Sequence, residues 1–364
     1  MTTQQAPLAQ PHNAILAVTL NCNARCQMCD IWQNDMHNEV TPETFARLPT
    51  SLRDINISGG EPFLRSDLPD ILRVIKETNP HTRLVISTNG FQPGKYKKML
   101  PAILAVDPKV AIRVSIDGLG AKHDEVRGIP NGFQKCEQTL KISRDAGIRD
   151  LGVGFTVLES NVEDLANVHE WTERNKLQLS ITVATDSEIY FGENKESMRP
   201  RSSHAVEQAF SHIIDAQYRK WNIKENFRAW FNQTMMEYQE SMQRRFTCDG
   251  GSGFFYMDSH ANIYMCHILN YRMGNLVQQS WDDLWTSDAA NDARVVAETC
   301  DKCWLICTSK SKIHENKWRI ASEMVAGKVR SMLRPRPRLT PGAGPEPQPA
   351  LDPGNGNGDD GQRS

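Results

Sequence analysis

The sequence predicts an α/β fold built on a parallel sheet. Three observations predict it. Short β-like runs recur at roughly 30–40-residue spacing along the first half of the chain. An amphipathic helical stretch follows most of them. The runs are apolar nearly throughout, as expected of strands covered on both faces. Six such units in succession imply right-handed crossovers between parallel strands. Periodicity alone does not choose between an open doubly wound sheet and a curved partial barrel.

The expected strands are Ala14–Leu20, Asp54–Ser58, Arg83–Ser87, Ala111–Ile116, Gly152–Val157 and Ser180–Ala184. Helices are expected at Thr41–Leu48, Leu68–Thr78, Lys95–Leu104, Phe133–Ala146 and Val162–Asn175. The first opens Thr41-Pro42-Glu43, with a capping residue before a proline at the first helical position. Phe133, Cys136, Leu140 and Ile142 show near-helical apolar recurrence, which reads Cys136 as core. Residues 1–12 read as a flexible N-terminus and 13–185 as the α/β unit. Residues 186–246 read as a linker followed by helices, which break near Trp221-Asn222. Phe210, Ile213, Ile214, Ala216 and Tyr218 form one buried stripe there; Phe227, Trp230, Phe231, Met235 and Tyr238 form another.

Residues 247–309 form a compact cysteine-bearing region. Residues 310–334 predict a helix with Trp318, Ala321, Val325, Val329 and Met332 on one face. From Lys310 to Arg338 basic residues outnumber acidic ones nine to two. A basic amphipathic helix of this kind either lies on an anionic membrane surface or packs on the body with its basic face in water. The composition of 335–364, dominated by Pro, Gly, Asn and Asp, predicts disorder.

Composition bounds the function. The 364 residues suffice for one large domain and a smaller one, and a formal charge of -2 gives no global field for nucleic acid. No apolar run is long enough to cross a bilayer. The N-terminus lacks the basic and apolar regions of a signal peptide. Nine cysteines in such a chain read as metal ligands in a reducing cytoplasm, not as disulfides.

Three of them, Cys22, Cys26 and Cys29, are spaced C-x3-C-x2-C directly after the first strand. Three thiolates are one fewer than a [4Fe–4S] cluster takes from protein, so one iron would stay open to a small molecule. Three unrelated core cysteines, or a zinc site short of one ligand, are the blander alternatives. Ser58-Gly59-Gly60-Glu61-Pro62 follows the second strand, where two glycines allow close backbone approach. Ser87-Thr88-Asn89-Gly90 and Ser115-Ile116-Asp117-Gly118 place short polar side chains at the ends of the third and fourth strands. Arg127 follows in a further charged stretch.

Here the chain resembles the radical S-adenosylmethionine (radical SAM) enzymes. Cys22, Cys26 and Cys29 match that family's cluster motif, and Gly59-Gly60-Glu61 matches its GGE motif. Met28 stands where the family usually has an aromatic residue, and still offers an adenine ring an apolar contact. The resemblance implies a partial (β/α)6 TIM-like barrel with the cluster loop at the top of its first strand. It implies that Gly59, Gly60 and Glu61 hold the methionyl amino group of SAM. Ser87 and Asn89, with Ser115 and Asp117, would take its ribose and carboxylate regions, and Arg127 would pair its carboxylate. Val153-Gly154 would let adenine approach a backbone edge.

The remaining cysteines, Cys248, Cys266, Cys300, Cys303 and Cys307, run C-x17-C and then C-x2-C-x3-C. Tyr256-Met257-Asp258 and Asn262–Cys266 read as a small hairpin delivering Cys266. The set resembles the SPASM and shorter twitch extensions of radical SAM enzymes, which hold auxiliary [4Fe–4S] clusters. The match is partial, because five cysteines fully ligate one such cluster and Ala261 replaces a usual glycine. Cys248, Cys266, Cys300 and Cys303 are the expected ligands, with Cys307 spare. Cys307 as fourth ligand and a structural zinc site are the alternatives.

The implied activity is reductive cleavage of SAM to a 5′-deoxyadenosyl radical that abstracts hydrogen from substrate. An outside electron donor such as flavodoxin or ferredoxin would be needed. An auxiliary cluster that accepts the second electron would make the enzyme an oxidoreductase. Only about a dozen residues precede the first strand. That favours a small-molecule substrate, such as a sugar, aminocyclitol or cell-envelope precursor, over a peptide bound through a leader. A peptide- or protein-modifying maturase is the alternative. A non-enzymatic iron–sulfur electron carrier is the rival of another class. It would need neither the glycine pair nor the strand-end polar groups.

Overall fold

The computed structural model describes residues 8–34, 37–191, 198–200 and 203–335. The sequence-based expectations for 1–7 and for the tail at 336–364 lie outside the described residues. Six parallel strands form the body: β1 (Asn13–Thr19), β2 (Asp54–Gly59), β3 (Arg83–Thr88), β4 (Ala111–Ser115), β5 (Leu151–Val157) and β6 (Gln178–Val183). They lie in sequential order, each pairing with the next. Helices α1 (Leu68–Thr78), α2 (Pro93–Val106), α3 (Ala121–Arg127), α4 (Gly132–Asp145) and α5 (Leu165–Arg174) connect them. The segment expected as a helix at Thr41–Leu48 is a 3-10 helix over Pro42–Arg47. Pro49 disfavours the α conformation at Leu48, so the turn stays short.

The sheet extends further than the sequence predicts. After α6 (Glu188–Phe191), α7 (Ser203–Tyr218) and α8 (Ile223–Ser241), strand β7 (Phe254–Met257) pairs in parallel with β1. Strands β8 (Asn262–Tyr264) and β9 (Arg272–Asn275) then add antiparallel. One nine-stranded sheet therefore runs β6-β5-β4-β3-β2-β1-β7-β8-β9. Among the described residues β6 and β9 do not pair, so the barrel is partial. The cysteine-bearing region is continuous with it. Helices α9 (Trp281–Trp285) and α10 (Asp288–Glu298) pack beside β9, and α11 (Lys310–Glu315) and α12 (Lys317–Leu333) complete the described chain.

The strands are not apolar throughout, contrary to expectation. In β2, β5 and β6 buried residues alternate with part-exposed ones. The outer face of each strand packs under the helices. The inner face carries Asn56, Thr156 and Thr182 into a cavity. Residues 9–12 are not loose. The Trp285 indole donates to the Ala9 carbonyl at 3.1 Å, and the Trp281 indole donates to Gln10 at 2.9 Å.

The segment read as a linker is also anchored. The Tyr190 carbonyl accepts from the Asp30 backbone N–H at 2.8 Å, and Glu188 N–H donates to the Ile268 carbonyl at 2.8 Å. Helix α6 thus ties the first cysteine loop to the second cysteine region. The stripes on α7 and α8 are largely core: Phe210, Ile213, Trp230 and Tyr238 are all buried. Asn222 caps α8 through its side chain, which accepts from Lys224 N–H at 2.8 Å. The long C-terminal helix expected over 310–334 breaks at Asn316 into α11 and α12. Of the two readings of its apolar stripe, packed on the body or turned outward, the structure shows the outward one: Trp318, Val325, Val329 and Met332 all face solvent.

Candidate active site

The C-terminal ends of β1 to β6 converge on one opening, as active sites do in α/β barrels. The loop after β1 carries Cys22, Cys26 and Cys29, all of which line a cavity of about 410 Å³. Two backbone bonds hold that loop against the end of α3. Arg25 N–H donates to the Arg127 carbonyl at 3.1 Å, and Gln27 N–H donates to the Val126 carbonyl at 2.9 Å. Gly128 caps α3 with φ +64°, and a Cβ there would lie 2.4 Å from the Arg25 carbonyl oxygen. Only glycine meets both demands without displacing the cysteine loop.

The thiols are poor thiolates without help. Burial pushes Cys22 up to about 11 and Cys29 up to about 12. Thiolates in this pocket need a strong positive partner, which bound iron supplies. Among the described residues no three Cys, His, Asp or Glu side chains converge on one ion-sized position. Three cysteine thiols on one loop lining one cavity are a donor set that fits an iron–sulfur cluster with one iron left open.

The glycines after β2 serve the loop as much as any ligand. Gly60 N–H donates to the Thr19 carbonyl at 2.8 Å, and Glu61 N–H donates to the Asn21 carbonyl at 2.7 Å. A Cβ on Gly60 would sit 2.1 Å from the Asn21 oxygen. Gly59 and Gly60 line the cavity.

Glu61 is turned away from that role. The residue is buried, 2 % exposed. It accepts from Phe63 N–H at 3.0 Å, the Thr88 hydroxyl at 2.8 Å and Asn89 N–H at 2.7 Å. Burial raises its pKa, while those donors hold it down. Glu61 therefore braces the β2 loop to the β3 loop. Glu61→Gln presents an amide N–H to at least one backbone donor. We expect it to lower unfolding stability by about 1–3 kcal/mol, measured in urea. An unchanged midpoint would contradict the brace.

Ser87, Asn89, Ser115 and Arg127 line the cavity. The Ser87 hydroxyl donates to Asn56 at 2.9 Å. The Asn89 amide donates to Asn23 at 2.7 Å and lies 3.9 Å from the Cys22 sulfur. Asp117 is fully buried and serves from behind. It accepts from Thr156 N–H at 2.7 Å and pairs with Arg127 Nε at 2.5 Å. Burial works against the Arg127 charge, but Asp117 and the neighbouring Cys26 hold it more firmly charged than usual. Arg127 Nη1 reaches the Cys26 sulfur at 3.6 Å. Cys136 is core, its thiol donating to the Asn89 carbonyl at 3.1 Å.

The second cysteine set lies across the opening. Cys248, Cys266 and Cys303 are buried, and Cys300 and Cys307 partly so. Cys307 lines the same cavity as Cys22, Cys26 and Cys29. Gly250 N–H donates to the Cys248 sulfur at 3.3 Å, and Leu269 N–H donates to the Cys266 sulfur at 3.4 Å. The turn that delivers Cys266 holds Ala261 at φ +62°, a left-handed conformation usually given to glycine.

Sequence reading missed several residues here. Arg244 reaches the Cys303 sulfur at 3.7 Å and clasps the Thr308 carbonyl at 2.7 Å. Tyr190 and His267 line the cavity with ring centroids 6.0 Å apart. No motif marks a single arginine or tyrosine. The period-two placement of Asn56 and Ser58, of Gly154 and Thr156, and of Ser180 and Thr182 was the one readable signal.

The cavity continues down the barrel interior into a space of about 610 Å³. Its far end is lined by Arg83, Arg113, Lys224, Arg228 and Lys310, against the carboxylates Asp54 and Asp150.

Comparison with known proteins finds similarity along most of the chain. Residues 16–172 match the radical SAM superfamily, and residues 248–304 match SPASM, an iron–sulfur cluster-binding domain. The sporulation killing factor maturation protein SkfB of Bacillus subtilis is 22% identical over 330 residues, covering 87% of this chain and 74% of that protein. The AdoMet-dependent heme synthase of Methanosarcina barkeri is 24% identical over 322 residues, covering 80% of this chain and 87% of that one. Among solved structures, anSMEcpe with bound AdoMet and a peptide superposes with a TM-score of 0.59 at 14% identity, covering 87% of this chain and 99% of that one. Streptococcus suis SuiB bound to its precursor peptide SuiA gives 0.58 at 14% identity, covering 79% of this chain and 67% of that one. At these identities the superpositions show the shared fold.

Proposed function

We propose, from the premise that this chain belongs to the radical SAM superfamily and carries a SPASM cluster-binding region, that it oxidises a small organic molecule by two electrons. The observation that carries the reading is the shared cavity: Cys22, Cys26, Cys29 and Cys307 all line it. When bound, the cluster and SAM supply a 5′-deoxyadenosyl radical that takes one hydrogen atom from substrate. The C-terminal cysteines would hold the group that accepts the second electron, and water or a polar side chain lining the cavity would take the proton.

The chain's own residues bind, orient and exclude water. Gly59 and Gly60 offer backbone carbonyls to the SAM amino group. Ser87, Asn89 and Ser115 face its ribose, and Arg127, held by Asp117, pairs its carboxylate. Met28 packs beside the adenine. Cys248, Cys266, Cys300 and Cys303 would hold the auxiliary cluster, and Cys307, spare in this reading, lines the cavity. In this reading the substrate is a sugar, aminocyclitol or cell-envelope precursor, and the charged far end of the cavity, where Arg83, Arg113 and Lys310 pair with Asp54 and Asp150, offers it polar partners. A flavodoxin or ferredoxin in a reducing cytoplasm is the electron donor in this reading.

A second reading is favoured by one observation, the similarity to the maturation protein SkfB along most of this chain. In that reading the substrate is a peptide or protein. Product analysis separates the two. Anaerobic incubation with SAM, reductant and candidate substrates is expected to give a small molecule lighter by two hydrogens, in proportion to 5′-deoxyadenosine. A crosslinked or thioether-bearing peptide would sink the small-molecule reading.

A further inference from the structure

The outermost helix presents its apolar side to the outside. Helix α12 docks on α7 and α8 through Ile320, Gly327 and Ser331, the residues of its buried face. A Cβ on Gly327 would lie 2.4 Å from the Tyr218 ring, so the approach is close. Polar bonds complete the dock. The Trp230 indole donates to Glu323 at 2.8 Å, Arg245 pairs with Glu323 at 2.7 Å, and Arg219 donates to the Ser331 carbonyl at 2.6 Å. These contacts fix the rotation of the helix about its axis.

That rotation leaves Trp318, Ala321, Val325, Val329 and Met332 on the opposite side, at the three- and four-residue spacing of one helical face. Trp318 is 79 % exposed and Leu333, at the end of the stripe, 81 %. The patch does not end with the helix. Trp221 and Ile223, in the turn between α7 and α8, are 88 % and 80 % exposed. Lys328 joins the two, donating to the Lys220 carbonyl at 2.7 Å with its ammonium 4.6 Å above the Trp221 ring. Most of the large apolar side chains exposed among the described residues belong to this one patch.

Charge frames the stripe on both sides. Lys317 and Lys328 flank one edge, Arg319 and Arg330 the other, and the sequence continues Arg334-Pro335-Arg336-Pro337-Arg338. Glu323, the acidic residue within the helix, is turned inward and paired. A second copy related by a two-fold axis would set cations against cations. The stripe lies mainly along a single helix, a smaller face than a stable protein interface buries. A deformable anionic plane meets all three features.

We propose that α12, with Trp221 and Ile223, docks this enzyme on an anionic lipid bilayer, lying in the headgroup plane with its apolar stripe inward. No helix among the described residues is long and apolar enough to cross a membrane. Exposed indoles within the patch and cations along its borders are the composition of interfacial helices. The inference does not depend on the redox chemistry, because docking requires neither SAM nor reductant.

The test is co-sedimentation of the full iron-loaded chain with vesicles. Vesicles of equal parts phosphatidylglycerol and phosphatidylcholine are expected to pellet most of the protein, and pure phosphatidylcholine roughly tenfold less, with binding falling as salt rises. The outward-face variant Val325→Ser/Val329→Ser/Leu333→Ser should lose most of the binding while keeping its iron content and circular dichroism. Equal pelleting by that variant would overturn the proposal, as would no pelleting with anionic vesicles. A wild-type dimer in size-exclusion chromatography that the same variant converts to monomer would assign the stripe to a second copy and overturn it as well.

Discussion

A Cys22→Ala/Cys26→Ala/Cys29→Ala variant, reconstituted anaerobically, is expected to keep about four irons per chain, the content of one [4Fe–4S] cluster. The wild type should hold about twice that. The reason lies in where the sulfurs sit. The first three belong to the loop after β1, pinned by α3, whereas Cys248, Cys266, Cys300 and Cys303 belong to the β7–β9 region and the loop after α10. Helix α6 bonds to both loops through the backbone of Asp30 and Ile268, and the substitutions remove neither bond, so losing one set should leave the other loaded. The variant should form no 5′-deoxyadenosine. Adding Cys303→Ala should remove the remaining iron. A triple variant without iron would mean that the C-terminal set holds zinc or nothing. The second electron would then have no acceptor, and isomerase, lyase or radical-addition chemistry would replace oxidation.

Asp117→Ala should be the most destabilising single change in the barrel mouth. Asp117 is wholly buried, and its partner Arg127 is 12 % exposed at the side chain. Removing the carboxylate strands a guanidinium in a low-dielectric site and frees the Thr156 N–H. Breaking such a buried pair costs about 3–5 kcal/mol. The loss should also loosen the cysteine loop, because Arg127 touches Cys26 and its carbonyl accepts from Arg25. Urea unfolding and iron retention measure the two effects. A loss under about 1 kcal/mol, the scale of an exposed pair, would show that Asp117 is no anchor.

The parallel sheet was legible because each unit pairs with its neighbour in sequence, so local periodicity reports it. The addition of β7 was not. Phe254–Met257 is a four-residue apolar run whose partner, β1, begins at Asn13, and no local pattern encodes a pairing across that distance. The rotation of α12 was not decided by the sequence for a related reason. Its apolar stripe is plain in the sequence, but the docked side is set by Gly327 and Ser331, whose small size matters only against Tyr218 and Asp215. At the site, residues in runs were readable: the cysteine loop, the glycine pair, the polar strand ends. Asp117 and Glu61 were noticed, yet their sequence context could not show that they point into the protein to hold Arg127 and Asn89. Arg244 and Tyr190 carry no local signature at all.

The most direct test of the account is anaerobic turnover of SAM by the fully iron-loaded wild-type chain with a low-potential reductant. The account predicts 5′-deoxyadenosine, formed in the wild type and absent in the Cys22→Ala/Cys26→Ala/Cys29→Ala variant. A wild-type chain with full iron content and no 5′-deoxyadenosine would contradict it.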